Sequence, residues 1–349
     1  MSAPAPFPDP TSFPADGSAA ERLRFLVGYA VLAPSDRNTQ PWHFRVEGDT
    51  LELWADRSRG LPVGDPGGRA LTISCGAALY HLRLALRHFG FEAVVECLPD
   101  AAQPDLLARV GLGAPRPPAP VEELLFDAIP RRRTNRRAFA DRFLPSYLLQ
   151  ALQSAAAAEE GRLVLVTSAA DKAELAALVA DADRAQQADP ALREERAGWI
   201  HTASDPRHDG LSGYALGIPA VMDVMTPLLA RAFRRDADGA RQAARDAERA
   251  EGPGVLAVLA TDADDAAAWL QTGEALAHVL LRAAAAGVSA SFLNAPVEVS
   301  RYRAELARRT SGHPQLLFRL GFGPALAYAT PRRGAEDVMD NSAPLPFLA

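Results

Sequence analysis

The sequence is short of the features that would place it in a class at once. It has only two cysteines, Cys75 and Cys97, in 349 residues. That excludes a disulfide framework, and both lie in apolar patterns that read as small buried side chains. No apolar run approaches the ~18 residues needed to span a bilayer. The opening stretch, Met1 to Asp16, is proline-rich but has neither a basic leader nor an apolar one. It reads as a disordered tail over 1–17 and not as a signal peptide. These absences predict a cytoplasmic protein with no membrane partner. Positive charge is not in excess either. The net charge is -6, which argues against nucleic acid as a partner. Nor is there a G-x-G-x-x-G, an H-E-x-x-H, a G-x-x-x-x-G-K-[ST] or a G-x-S-x-G. His81, His201, His208 and His278 share no ligand spacing and read as core or loop histidines. No metal site and no catalytic side chain is predicted.

What is present is the composition of a folded protein, 48% hydrophobic and 23% charged, long enough for two domains or one large one. Ser18 and Glu21 form a capping box, and Leu23, Leu26, Val27 and Ala30 follow at helical spacing. Phe44/Val46 and Leu51/Leu53 alternate across Gly48-Asp49-Thr50, which predicts a hairpin. A helix is expected over 72–88, and Phe91 to Cys97 alternates as a strand. Residues 111–120, rich in Gly and Pro, read as a linker. Further on, a helix is expected after Pro145. Strands follow at Leu163–Val166, Val255–Ala260 and Leu316–Phe322, with a long helix over Trp269–Ala286. The Ala-, Arg- and Asp-rich stretch 171–250 reads as mostly helical, interrupted at Trp199–Pro219.

Two of these helices share a pattern. Gly76, Leu79, His81 and Gly90 are spaced as Gly273, Leu276, His278 and Gly287 are: three, five and fourteen residues after the first glycine. Upstream, helix, loop and strand recur in the same order. The chain therefore reads as a tandem duplication, with halves over 18–110 and 121–330 and a tail over 331–349. Each half carries one distinctive loop. The first has Ala33-Pro34-Ser35-Asp36-Arg37-Asn38-Thr39-Gln40-Pro41-Trp42; the second opens with Arg131-Arg132-Arg133-Thr134-Asn135-Arg136-Arg137. One composite site between the halves is the expectation.

In an extended segment alternate residues face the same way, so Arg132, Thr134 and Arg136 would project together. Two guanidinium forks and a hydroxyl suit a phosphate dianion. The Asn38 and Gln40 amides carry both donors and acceptors, which suits a heterocycle edge such as an isoalloxazine. Trp42 reads as a packing anchor beneath the loop.

Ala33-Pro34-Ser35 with Asn38-Thr39-Gln40-Pro41-Trp42 resembles the APSxxNxQPW loop of the nitroreductase superfamily. Arg132-Arg133-Thr134-Asn135-Arg136 resembles that family's RRSxR opening. Leu270–Leu293, Leu316–Pro324 and Pro331-Arg332-Arg333 resemble its carboxyl-terminal helix, strand and basic end. With both loops in one chain, it looks like the fused, tandem Acg-type subfamily. The resemblance implies an α+β, nitroreductase-like fold: two half-repeats forming an intramolecular pseudo-dimer, with mainly antiparallel sheets and long central helices. It implies one FMN per chain. Arg132, Thr134 and Arg136 would hold the phosphate, helped by Arg332 or Arg333. Ser35, Asn38 and Gln40 would line the ring, with Ser291 and Asn294 passing beside it. It further implies hydride transfer from NAD(P)H through FMN to a small-molecule acceptor such as a nitroaromatic or quinone. The expected state is a monomer or a weak homodimer. Asp209 to Tyr214 is a candidate lid. If it shuts the site, the protein would store or sequester FMN with little turnover.

Overall fold

The computed structural model describes residues 7–217, 220–235 and 239–340. The first half contains α1 (Ala19–Ala30), the hairpin β1 (Trp42–Glu47) and β2 (Thr50–Ala55), α2 (Arg69–His88), β3 (Phe91–Cys97) and β4 (Leu106–Pro115). Its sheet is antiparallel in the order β1-β2-β4-β3. α3 (Pro120–Phe126) leads to the second half, which contains α4 (Ser146–Ala157) and β5 (Arg162–Val166). Four helices follow: α5 (Ala169–Ala188), α6 (Pro190–Gly198), α7 (Thr226–Arg235) and α8 (Ala240–Glu251). Then come β6 (Val255–Thr261), α9 (Ala266–Ala285), β7 (Ser289–Phe292), α10 (Ala295–Glu298), α11 (Ser300–Thr310) and β8 (His313–Gly321). The second sheet is antiparallel in the order β5-β6-β8-β7, the first order repeated. In both halves a 20-residue helix joins the second strand to the third. The insertion α5–α8 lies between β5 and β6.

Local chemistry sets the boundaries. Ser18 and Glu21 close their capping box with reciprocal bonds, and Leu23, Leu26, Val27 and Ala30 are buried. Gly90 and Gly287 follow the ends of α2 and α9 at φ 85° and 72°, a left-handed conformation that favours glycine. β6 is buried along its whole length, as its unbroken apolar run requires.

The halves meet where α2 crosses α9, at Gly76 and Gly273. A Cβ on Gly76 would lie 2.0 Å from the Leu270 carbonyl oxygen, and one on Gly273 would lie 2.0 Å from that of Ile73. The repeated glycines therefore allow backbone-to-backbone contact on the pseudo-twofold axis. His81 is a core histidine: its Nδ1 lies 3.3 Å from the Tyr29 carbonyl, and burial pushes its pKa down to about 3. His278 stacks on Tyr80 beside Glu159.

Four expectations are corrected. Residues 111–115 are not linker but the end of β4: Gly111 pairs with Thr50 and Val94, and Pro115 with Phe91. Gly113 packs so closely on Glu92 that a Cβ would come within 2.9 Å, so glycine here marks sheet packing and not a break. Within the expected N-terminal tail, Phe13 stacks on Phe89 at 4.1 Å and Phe7 meets Tyr29 edge-on at 5.2 Å. Aromatic burial thus orders 7–17; residues 1–6 lie outside the described residues. The expected C-terminal tail docks on the first half through buried Val338 and a bridge from Met339 to Phe44, while 341–349 lie outside the described residues. Cys75 is buried, but Cys97, at the end of the edge strand β3 and next to exposed Glu96, is exposed. No helix among the described residues is long and apolar enough to cross a membrane.

Candidate functional site

A cavity of ≈ 220 Å³ lies between the halves. The loop after α1 supplies Ser35, Asp36, Arg37 and Asn38; α2 supplies Arg69, Ile73 and Ser74. From the second half come Arg132, Thr134, Arg136, Phe292, Asn294 and Glu298. Arg332 closes it from the chain's end. The arginine segment lies extended along β7, with a bridge from Thr134 to Ala290 and a bond from the Asn135 N–H to the Ala290 carbonyl. Arg132, Thr134 and Arg136 reach this cavity, as does Arg133; Arg131 and Asn135 line a second cavity, which Arg132 and Arg133 also border.

The loop before β1 is held in a rare conformation. Arg37, Asn38 and Gln40 have φ of 45°, 58° and 51°. Such strain persists only where the surroundings over-determine it, and here they do. The Ser35 hydroxyl accepts from the Gln40 N–H at 3.0 Å. The Asn38 amide donates to the Pro331 carbonyl at 3.0 Å and accepts from Arg332 at 2.8 Å. The Gln40 amide donates to the His208 carbonyl and accepts from the Arg333 N–H, both at 2.9 Å. Gln40 is fully buried and does not line the cavity; it ties the loop to two distant segments. Gln40→Ala would remove the amide that bonds the His208 carbonyl and the Arg333 N–H. We expect a loss of about 2 kcal/mol or more, at ~1–3 per buried group, and faster tryptic cleavage at Arg207. A thermal melt and a timed digest measure both, and an unchanged digest would show that Gln40 does not restrain the segment.

That segment runs over the cavity. Leu211 lines it, the Gly210 N–H donates to the Asn38 carbonyl at 3.3 Å, and Arg136 donates to the Ala215 carbonyl at 2.8 Å. Arg59 pairs with Asp209 and packs over Trp199. Tyr214 accepts from the Ala327 N–H at 2.9 Å and meets Tyr328 edge-on.

The charges are uneven. Arg132 is buried, its Nε has no partner, and no side-chain hydrogen bond holds it among the described residues. Burial, and then Arg133, push its pKa down to about 10. Arg332 bonds only neutral oxygens; burial, then Arg132 and Arg133, push it down to about 9. Buried guanidiniums that repel one another are expected to face an anion. Arg136 is also pushed down to about 10 by burial, but its charged neighbours are Arg249, Asp246, Asp36 and Arg37. Its guanidinium is held at the Ala215 carbonyl, whereas Arg332 is held at Asn38 and the Pro331 carbonyl.

Of the residues expected from sequence, the structure brings together Ser35, Asn38, Arg132, Thr134, Arg136, Asn294 and Arg332. Three stand apart. Gln40 is a tie. Ser291 is buried in β7 with an unpartnered hydroxyl outside the cavity lining. Arg333 points the other way, donating to the Asp337 carbonyl, because alternate residues of an extended segment face opposite sides. Sequence reasoning missed Arg69, Arg37 and Glu298. Arg69 is the first residue of α2, and nothing in its neighbours signals that the helix brings it to the loop.

No family model matches the chain. Among curated proteins, Rv3131 of Mycobacterium tuberculosis, named as a candidate NAD(P)H nitroreductase, is 35% identical over 331 residues, 92% of each chain. A second from that organism, named as the candidate NAD(P)H nitroreductase Acg, is 30% identical over 322 residues, 90% of this chain and 94% of its own. Among solved structures, the FMN- and NADPH-dependent nitroreductase NfnB from a Sphigopyxis strain is 20% identical with a TM-score of 0.38. It covers 62% of this chain and 97% of its own.

Proposed function

The chain belongs to the nitroreductase family, in its Acg-type branch, and on that premise we propose that it binds one FMN between its halves and passes electrons from NAD(P)H to a small acceptor. The observation that carries this reading is the pair of buried guanidiniums, Arg132 and Arg332, facing the cavity without an anionic partner among the described residues. They fit a phosphate, with the Thr134 hydroxyl as a further donor. When bound, FMN supplies two-electron hydride chemistry, and the protein supplies orientation and electrostatics. Arg136, with its separate surroundings, is left for the ring. A fixed positive charge there favours the extra electron density of the reduced form. Asn38 works indirectly, by orienting Arg332 through a 2.8 Å bond. Ile73, Phe292 and Leu211 give the cavity an apolar wall against which a flat ring would pack.

One observation favours a second reading, storage of FMN with little turnover. The 199–217 segment is tied down over the cavity at Asp209, His208, Ala215 and Tyr214. Anaerobic stopped-flow mixing of the FMN-loaded protein with NADPH or NADH separates the two. Oxidoreductase action predicts loss of the visible flavin absorbance within seconds. Absorbance that stays unchanged would reject turnover and leave storage.

A further inference from the structure

Arg133 lines the cavity with its guanidinium folded back on the Pro130 and Arg132 carbonyls. Four other arginines line it without a carboxylate to pair with among the described residues: Arg69, Arg132, Arg136 and Arg332. Arg136 and Arg332 bond neutral oxygens, and Arg132 has no side-chain bond there at all. Arg69 donates to the Gln315 carbonyl at 2.6 Å, the Gln315 side-chain oxygen at 3.2 Å and the Val297 carbonyl at 3.3 Å. The cavity's own carboxylates are already committed. Asp36 pairs with Arg37 at 2.6 Å; Glu298 lies 3.6 Å from Arg37 and 2.9 Å from Arg196. A phosphate dianion answers Arg132 and Arg332, and the flavin ring edge, which presents carbonyl acceptors when oxidised as well as when reduced, answers Arg136. Arg69 is left over. Its pKa is held below the ordinary range, first by burial and then by Arg303, while Asp65, Glu298 and Asp264 pull the other way without coming close enough to form an ion pair. One helical turn on, Ile73 offers an apolar wall, and Phe292 an aromatic one.

We propose that Arg69 recognises a negatively charged acceptor, an aromatic or quinonoid molecule carrying a carboxylate or an equivalent monoanion, in preference to its neutral isostere. This rests on the FMN reading above, because FMN is what answers the other three arginines. Three bonds pin the Arg69 guanidinium before any ligand arrives, so little of its freedom remains to be lost on binding. Its carbonyl partners remove none of its charge. An anion entering the cavity therefore gains a charge-assisted bond that a neutral amide of the same shape does not.

The test is calorimetric titration of the oxidised protein with 4-nitrobenzoate and with 4-nitrobenzamide, after FMN itself has been titrated. The benzoate should bind about tenfold tighter or more, and added chloride should shrink that margin. Arg69→Met should erase the preference by weakening the benzoate alone, and Arg69→Lys should keep most of it. Equal affinities in the unaltered protein would overturn the proposal. So would a preference that survives Arg69→Met, or a loss in that variant confined to NADPH, which would give the anion to the electron donor. Should Arg69→Met fail to fold, the chloride dependence and Arg69→Lys still decide. Failure of FMN to bind would sink the underlying reading separately, because FMN affinity is titrated first, and the comparison with Arg69→Met then assigns any anion preference to Arg69 or to the other arginines.

Discussion

Arg132→Met is expected to weaken FMN binding and at the same time raise the melting temperature of the FMN-free protein. Both effects come from one fact: the guanidinium is buried with no partner among the described residues. A charge-assisted contact to phosphate contributes about 1.5–3 kcal/mol, or roughly ten- to a hundredfold in affinity. In the empty protein the same group is a desolvated charge beside Arg133 and Arg332. Exchanging it for an apolar side chain of similar length removes that repulsion and the desolvation cost. Adding Arg332→Met should deepen the affinity loss to several kcal/mol. Its gain in stability should be smaller, because Arg332 also holds Asn38 and the Pro331 carbonyl. Flavin fluorescence titration measures the first effect and a melt of the FMN-free protein the second. Unchanged affinity in the double variant would place the phosphate elsewhere.

The second large effect belongs to the helix crossing. Gly76→Ala and Gly273→Ala should each destabilise the protein by about 3 kcal/mol. In each case the new methyl meets a carbonyl oxygen 2.0 Å away, and backbone cannot turn aside as a side chain can. The two residues face each other, with the Gly76 Cα 2.7 Å from where a Gly273 Cβ would stand. Once one substitution has parted α2 from α9, the second has less to displace. The double variant should therefore fall short of the sum of the singles. Urea denaturation at constant m-value gives these numbers. Single variants within about 0.5 kcal/mol of the parent, the range of an ordinary surface substitution, would mean that the helices do not touch at these glycines.

The amino-acid sequence carried the repeat because close helix contact tolerates only glycine at Gly76 and Gly273, and spacing survives where side chains do not. The Ser18–Glu21 box, the hairpin around Gly48 and the apolar run of β6 were also legible, since each follows from interactions between near neighbours. Where a residue's role depends on a distant partner, sequence reasoning faltered. The Gly/Pro content of 111–115 signals a break, yet pairing with β2 and β3 makes it strand. Gln40 has the chemistry of a ring contact. Its partners, His208 and Arg333, are 168 and 293 residues away, and they turn it into a tie.

By itself, then, the sequence determined the two halves, the composite character of the site and the arginine-rich segment, because periodicity, capping and charge are local quantities. Only the tertiary structure decided which cations remain without an anion. It joined Arg332 to Arg132, set Arg136 among other charges and brought Arg69 to the wall from the start of α2. A charge is compensated or left bare by neighbours in space, and the chain's order does not record them.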